Sequence, residues 1–128
     1  MAHAKASIGT TNFLVSLTAG HHHLSADEGS AHGGGDVGPA PYELLCAALG
    51  ARTAITLRMY AERKEWPLQA VHVDVRFRRE DKVGAIVRVL RFAGELDDAQ
   101  RARLADIAER TPVTLTLKQG LAITTTLQ

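Results

Sequence analysis

The sequence predicts an α+β fold in which antiparallel sheet is wrapped around a long buried central helix. Three observations carry this prediction. The run Leu44–Ala51 contains no charged or polar side chain, as in helices that lie inside a protein. Residues 71–77 alternate apolar and polar with the period of a half-buried strand. Asp97, followed three residues later by Gln100, is the capping-box signature with which a further helix begins.

The central helix is predicted to extend from Pro41 to Lys64. Proline is favoured in the first helical turn, and the tryptophan–proline pair at 66–67 ends the helix, because a residue before proline avoids helical angles. Charges return in the second half, where Arg58 and Glu62 lie four residues apart and can pair on an exposed face. Arg52 is the exception in the inner half, because its neighbours on the same helix face are all uncharged.

Shorter elements on both sides of this helix give the order β-β-loop-α-β-β-α-β. Strands are predicted at residues 11–19, 23–26, 71–77, 85–93 and 121–127. A loop is predicted at residues 27–40 and a hairpin turn at residues 80–84. The second helix buries Leu104, Ile107 and Ala108 and must end or bend near Pro112. The alternation of residues 113–117 indicates a strand, which is one of two interpretations of this segment.

Length and composition indicate one domain over residues 1–128. The net charge of +1 argues against a nucleic-acid partner, which requires a concentrated basic surface. The chain has no uncharged apolar run of about 18 residues, so no membrane span is expected. The first ten residues lack the apolar core of a signal peptide, and the predicted location is therefore cytoplasmic. Cys46 is the only cysteine, which excludes an intrachain disulfide and a multi-cysteine metal site.

Two segments of the chain resemble the OsmC/Ohr family of osmotically inducible and organic hydroperoxide resistance proteins. Residues 38–61, GPAPYELLCAALGARTAITLRMYA, are similar to the family pattern G-P-x-P-Y-E-L-L-L-A-A-L-G-A-C-T-A-x-T-L-R-M-Y-A. Residues 96–113 resemble the second helix of the family and its C-P-V motif. The resemblance implies an OsmC-like fold and favours a short helix, the second interpretation, over residues 113–117. It departs at the two family cysteine positions, which are occupied here by Arg52 and Thr111.

An intertwined homodimer is expected on two grounds. A helix that is apolar on every face needs cover on more than one side, and a chain of this length supplies little of it. A second copy of the chain would supply the remaining cover. The resemblance implies the same assembly, because members of the family are homodimers in which two central helices are wrapped by sheets from both subunits.

The resemblance also defines what chemistry to expect. In the family, a peroxidatic thiolate attacks a hydroperoxide and the sulfenic acid condenses with a second thiol, with an arginine and a glutamate as activators. Arg52 cannot attack a peroxide and Thr111 cannot resolve a sulfenic acid. Residues 1–40, where the family carries its activating arginine, contain no arginine, and Glu43 is interpreted as a relic of the carboxylate. The expected protein is a relative without peroxidase activity by this mechanism, and whether it is an enzyme at all is left open.

Two functions remain as alternatives. In the first, the chain is a structural dimer or binds a small apolar or anionic ligand at the dimer interface, with Arg52, Tyr42 and Glu43 as the binding residues. In the second, Cys46 acts as the single thiol of an active peroxidase. Cys46 lies six residues before Arg52, about 120° around the helix and about 9 Å along it, so the two would not share a pocket. A packed structural cysteine is the simpler interpretation.

Arg52 itself has two interpretations, both of which require burial with an acceptor. It pairs either with a carboxylate, from the partner subunit or from the loop, or with the anion of a ligand. The candidate loop carboxylates are Asp27, Glu28 and Asp36.

The histidines at 21–23, with His32 and Asp27, suggest a metal site only weakly. Adjacent residues of a strand point to opposite faces, so only His21 and His23 could share one side. A polar turn is the interpretation that the spacing favours. The three glycines at 33–35 lack the lysine and hydroxyl of a phosphate-binding loop. Neither a metal nor a cofactor is expected.

Overall fold

The computed structural model describes all 128 residues and has an α+β architecture, as predicted. All paired strands are antiparallel. The elements in chain order are β1 Ala4–Ile8, β2 Val15–Ala19, β3 His22–Ala26, a 3-10 turn Ser30–His32, α1 Pro41–Arg63, β4 Leu68–Glu80, β5 Val83–Gly94, α2 Asp98–Ala108 and α3 Pro112–Gln119. By internal contacts the chain divides into two compact units, Met1–Leu45 and Cys46–Gln128. The single-domain organisation over residues 1–128 stays a prediction.

The first unit contains the three-stranded sheet β1-β2-β3, in which each strand pairs with the next. Strand β1 was not predicted, because all five of its residues are exposed and the sequence therefore shows no buried row. Its pairing with β2 aligns Ala6 with Leu17. The loop after β3 contains one short 3-10 turn and no strand, in agreement with its glycine-rich composition.

Asp27, a residue that is only 3% exposed, organises this loop through its carboxylate. Its two oxygens accept hydrogen bonds from the backbone N–H groups of Phe13, Glu28, Gly35 and Val37, at 2.8–3.3 Å. Burial is the largest single influence and acts to raise the pKa of Asp27, but the four donors together hold this pKa below its ordinary value of 3.8. Asp27 is therefore a structural anion of the loop.

The second unit is built on the long β4–β5 hairpin. Its loop consists of Asp81 and Lys82, both at positive φ, which is the two-residue hairpin turn whose twist matches the strands. Residues such as Val73 and Leu90 pair across the hairpin and form its partly buried inward row. The prediction of a hairpin with its turn at 80–84 is confirmed, and both strands are longer than predicted.

The core of this unit lies where α1, α2 and the hairpin meet. It consists of six buried residues, Leu57, Ala61, Leu68, Leu96, Leu104 and Ala108. The helix α1 contributes one buried stripe with a spacing of four residues: Leu49, Thr53, Leu57 and Ala61. The opposite side is open, with Ile55 and Met59 about half exposed at 46% and 52%. Within the single chain α1 is therefore covered on one side only, and its complete burial at a dimer interface stays a prediction.

Arg58 also differs from its predicted role as a partner of Glu62. Its guanidinium donates hydrogen bonds to the backbone carbonyls of Leu68 and Gln69, at the start of β4. This contact fixes the second half of α1 to the hairpin.

The helices α2 and α3 begin as their sequences indicate. Asp97 accepts from the Gln100 N–H while the Gln100 side chain accepts from the Asp97 N–H, so the predicted capping box is confirmed. At the next helix, Thr111 is the N-cap and Pro112 the first residue, which decides the open segment in favour of a helix. None of the three helices is long and apolar enough to cross a membrane.

The strand predicted at 121–127 is wrong for the single chain. Residues 120–128 form no helix or strand. Leu121, Ile123 and Leu127, the apolar residues of the alternating pattern, are 73%, 86% and 99% exposed. An alternating sequence becomes a strand only where a neighbouring strand pairs with it, and this chain places none beside it.

Candidate functional site

Arg52 lies in α1 immediately before the fully buried Thr53 and is itself half-buried. It makes no hydrogen bond or ion pair with any residue of its own chain. Full burial against a loop carboxylate, one of the two predicted arrangements, is therefore not found in the single chain. An acceptor from a partner subunit or from a ligand stays a prediction.

Thr111 is buried at 1% exposure and is the N-cap residue of α3. Its hydroxyl accepts from the Thr114 N–H at 3.2 Å and lies 2.7 Å from the Thr114 hydroxyl. The Thr114 hydroxyl donates in turn to the Ala108 carbonyl at 3.2 Å. Thr111 therefore caps α3 with its hydroxyl, and its equivalence to a family cysteine stays a prediction.

Arg88 connects this threonine pair to α1 and was not identified from the sequence. Its Nη1 donates to Thr53 Oγ1 and to Thr114 Oγ1, both at 3.0 Å. Its Nη2 donates to the Ala108 carbonyl at 2.9 Å. The side chain is only 10% exposed, although it belongs to the middle of β5. Thr53 donates its own proton to the Leu49 carbonyl at 2.7 Å, so it can accept from Arg88.

Glu109 supplies the negative charge nearest to this guanidinium, with Oε1 3.7 Å from Arg88 Nη2. It lies at the surface, 60% exposed, and also accepts a hydrogen bond from Lys118 at 2.9 Å. The hydrogen bond from Lys118 is the main cause that lowers the pKa of Glu109 from its ordinary 4.5, with Arg88 adding to it. Glu109 is therefore an exposed carboxylate beside the Arg88 guanidinium.

Together Arg88, Thr53, Thr111 and Thr114 form a closed set, which we call the Arg88 cluster. No buried side-chain nitrogen or oxygen in the chain lacks a hydrogen-bond partner. A guanidinium and hydroxyl groups can hold polar groups in place, but neither has the redox chemistry of a thiol. The cluster ties α1, β5, α2 and α3 together. The alternation of β5 places residue 88 on the same inward row as Leu90, and this is the signal that could have identified a buried arginine.

Cys46 is a free, half-buried thiol on the first half of α1. It lines a shallow groove of about 330 Å³ together with small or apolar residues, Ala47, Gly50, Ala51, Val73 and Val75. No charged side chain lines this groove. A reactive thiolate needs a cation or a similar donor beside it, so the groove offers no means of activating Cys46.

Tyr42 and Glu43, the other predicted ligand-binding residues, lie in the first turn of α1 and are exposed. Glu43 Oε1 accepts a hydrogen bond from the backbone N–H of Ala40 at 2.9 Å, the reach-back bond of a capping box. This gives Glu43 a role at the helix start. Ligand binding by Tyr42 and Glu43 stays a prediction.

The histidines belong to the β2–β3 hairpin, where His23 lies 3.5 Å from the Thr18 hydroxyl and the rings of His21 and His22 contact each other. Nowhere in the chain do three or more histidine, cysteine or acidic side chains come together as a metal site. The carboxylate of Asp27 is instead engaged by the backbone donors described above.

Comparison with solved structures shows the same fold in several proteins. An OsmC-like protein from Mycoplasma pneumoniae matches with a TM-score of 0.80 at 14% identity, over 92% of this chain and 87% of that chain. The organic hydroperoxide resistance protein OsmC from Legionella pneumophila matches with 0.67 at 22% identity, over 92% and 89%. A Vibrio cholerae protein named for organic hydroperoxide resistance, with captopril bound in one of its active sites, matches with 0.67 at 20% identity, over 92% and 84%.

Comparison with functionally curated proteins gave no significant match. At sequence identities of 14–22%, similarity to these structures establishes only the fold. The family is assigned from the match of the sequence to a family model. The model of the family described as OsmC-like protein matches residues 33–126, which is most of the chain and includes both α1 and the segment around Thr111. The chain therefore belongs to the OsmC-like protein family.

Proposed function

We propose that this chain is a homodimeric OsmC-like protein that binds a small anionic or apolar ligand at Arg52 and has no two-cysteine peroxidase activity. The main support for this proposal is the burial of Arg52 and its lack of an acceptor. Its guanidinium is half-buried, has no acceptor in its own chain, and stands where the family has its peroxidatic cysteine. The related structures named for hydroperoxide resistance supply the family context of this position.

The loss of peroxidase chemistry is supported at both cysteine positions. Arg52 is not a nucleophile, and Thr111 is held in the buried Arg88 cluster. The remaining thiol, Cys46, lies in a groove that no cation lines. A single-thiol peroxidase would need its thiolate stabilised, and nothing around Cys46 does so.

Ligand binding is supported by the cost of leaving a guanidinium partly desolvated without an acceptor. Arginine presents a planar fork of donors that matches a carboxylate or phosphate in a bidentate manner. In the Vibrio cholerae neighbour a small molecule, captopril, occupies an active site. We assign the corresponding role here to an anion that accepts from Arg52. A part for Tyr42 and Glu43 in ligand binding stays a prediction from the sequence.

A homodimer is supported by two apolar surfaces that the single chain leaves uncovered. The outer side of α1 carries the exposed stripe Ala47, Ala51, Ile55 and Met59 at a spacing of four residues. The segment at 121–127 has the pattern of a strand, exposes its apolar residues, and has no pairing partner in its own chain. A second copy of the chain would cover the stripe and these exposed apolar residues.

Thermal unfolding with and without small anions tests the ligand site. Acetate, succinate and phosphate are titrated into the wild-type chain, Arg52→Ala, and Arg63→Ala as a control of equal charge change on the same helix. Binding stabilises the folded state by about 2.7 kcal/mol at an anion concentration of 100 Kd. We expect the melting temperature to rise with at least one anion in wild type and Arg63→Ala, and not in Arg52→Ala. An equal rise in all three chains would contradict the site.

Peroxide consumption and sedimentation test the other two parts. With organic hydroperoxide and a dithiol reductant, we expect wild type to be no faster than Cys46→Ser. Thiol-dependent turnover that disappears in Cys46→Ser would instead establish the single-thiol peroxidase. Sedimentation at micromolar concentration should give the mass of a dimer, and a monomeric mass would refute the assembly.

A further inference from the structure

The outward face of the β4–β5 hairpin carries an apolar row that the core does not explain. On β5 the outward positions are Val83, Ala85, Val87 and Val89, all exposed, with exposures of 69%, 45% and 59% for the three valines. The solvated face of an antiparallel sheet normally carries polar residues. The β4 half of this face is polar, because the residues paired with the row are charged: Asp74, Arg76, Arg78 and Glu80. The β5 row is therefore an apolar strip along one side of the outward face.

The row ends on a cationic site. The next outward residue of β5 is Arg91, which is exposed and makes no hydrogen bond or ion pair in the chain. Its cross-strand neighbour is His72. These two residues, with Arg76 and Val89, line an open groove of about 500 Å³ that also includes Val73 and Asp74. Asp74 is paired with Arg76 Nε at 3.1 Å, which leaves the Arg91 guanidinium as the free cation of the groove.

At the other end of the row, next to the hairpin turn, acidic residues outnumber basic ones in the lining of a groove. A second shallow groove there is lined by Val83, Ala85 and Arg78 together with two acidic residues, Glu80 and Asp81. The acidic pair disfavours an anion at the turn, so the charge distribution orients a polar head toward Arg91. From Val83 to Val89 the row spans about 20 Å, from the rise of roughly 3.4 Å per residue of an antiparallel strand.

We propose that this outward face binds a linear amphiphile, with its anionic head on Arg91 and His72 and its alkyl chain along Val89, Val87, Ala85 and Val83. The anionic head accepts a charge-assisted hydrogen bond from Arg91, which has no acceptor in the chain. The chain covers the exposed valines. This site is separate from the one proposed at Arg52, since its residues all belong to the outward face of the hairpin.

The test uses dodecanoate, below its micelle concentration, titrated into the full chain by calorimetry. Every variant is made in an Arg52→Ala background, so that binding at Arg52 contributes nothing and failure of one proposal does not imply failure of the other. We expect Arg91→Gln to weaken binding about tenfold or more, the value of a hydrogen bond to a charged group. Arg63→Gln, with the same charge change on α1, should leave it unchanged. Val89→Thr, which keeps the shape and removes apolar surface, should weaken it severalfold.

Further measurements distinguish the contribution of the anionic head from that of the alkyl chain. Acetate carries the head without the chain and dodecyltrimethylammonium carries the chain with the opposite charge, and both should bind at least tenfold more weakly than dodecanoate. Backbone amide shifts should follow the outward positions of β4 and β5. Equal weakening by Arg63→Gln, shifts elsewhere in the chain, or binding to anionic phospholipid vesicles without binding of free dodecanoate would overturn the proposal.

Discussion

Arg88 and Arg52 show two ways in which this fold holds a guanidinium. Arg88 is 10% exposed, and three hydrogen bonds from its two terminal nitrogens reach two threonine hydroxyls and a helix-end carbonyl. Arg52, one residue away from one of those threonines in the sequence, has no acceptor at all in its own chain. A charged residue within a helix or a strand is therefore not structural by itself. What matters is whether the tertiary fold brings acceptors to it.

The largest expected effect is a loss of stability in Arg88→Met that Arg52→Met does not show. This change removes the guanidinium and leaves polar groups of Thr53, Thr114 and Ala108 with fewer partners in a buried place. We expect it to lower the free energy of unfolding by about 2–3 kcal/mol, measured by urea denaturation. Arg52→Met is the matched control and should change it by less than about 0.5 kcal/mol in the absence of ligand. Equal losses in the two variants would erase the distinction.

A somewhat smaller effect is expected for Thr114→Val, which keeps the side-chain shape and removes the hydroxyl. The hydroxyl lies in the Arg88 cluster, where it contacts Arg88, Thr111 and the Ala108 carbonyl. We expect a loss of about 1–2 kcal/mol in the free energy of unfolding. The same change at Thr116, which is partly exposed in α3, should cost much less. If both variants were equally stable, the cluster would not be what ties α3 to the unit.

Asp27 extends the comparison to an anion that the backbone satisfies. Its folded-state pKa lies below the ordinary 3.8 because of its four N–H donors, so its stabilising effect is present above about pH 4. The effect is lost as the pH falls through the folded-state pKa. Asp27→Asn should therefore lower the melting temperature at pH 7 and flatten its decline below pH 4. Asp36→Asn, an exposed change in the same loop, should do neither. An unchanged acid profile in Asp27→Asn would show that the carboxylate does not organise the loop.

The smallest expected effect is on activity, in the double variant Arg52→Cys with Thr111→Cys. Both family cysteines return, but residues 1–40 still contain no arginine and Arg88 remains bonded to Thr53 and Thr114. Without a free cation to hold the thiolate, peroxide consumption should stay only slightly above the double serine control. Consumption of many equivalents of hydroperoxide per chain would show that an activating cation is available after all.

The elements predicted from sequence are those whose signals are local. Helix α1 was predicted at Pro41–Lys64 and is found at Pro41–Arg63, because proline at its start and the tryptophan–proline pair after it act on the backbone directly. The capping box at Asp97 was confirmed for the same reason. Strand β1 was missed and the strand at 121–127 was wrong, because strands depend on partners that a single segment does not reveal.

The class of fold, the hairpin and the helix starts could be predicted from the sequence, since each depends on residue type and short spacing. Which polar residues come together as a cluster depends instead on how the helices and strands pack. Thr53, Arg88, Thr111 and Thr114 are separated by up to 61 positions, from residue 53 to residue 114, and meet because α1, β5, α2 and α3 pack together. Hydrogen bonds act over about 3 Å, so their partners are chosen by packing and cannot be deduced from distance along the chain.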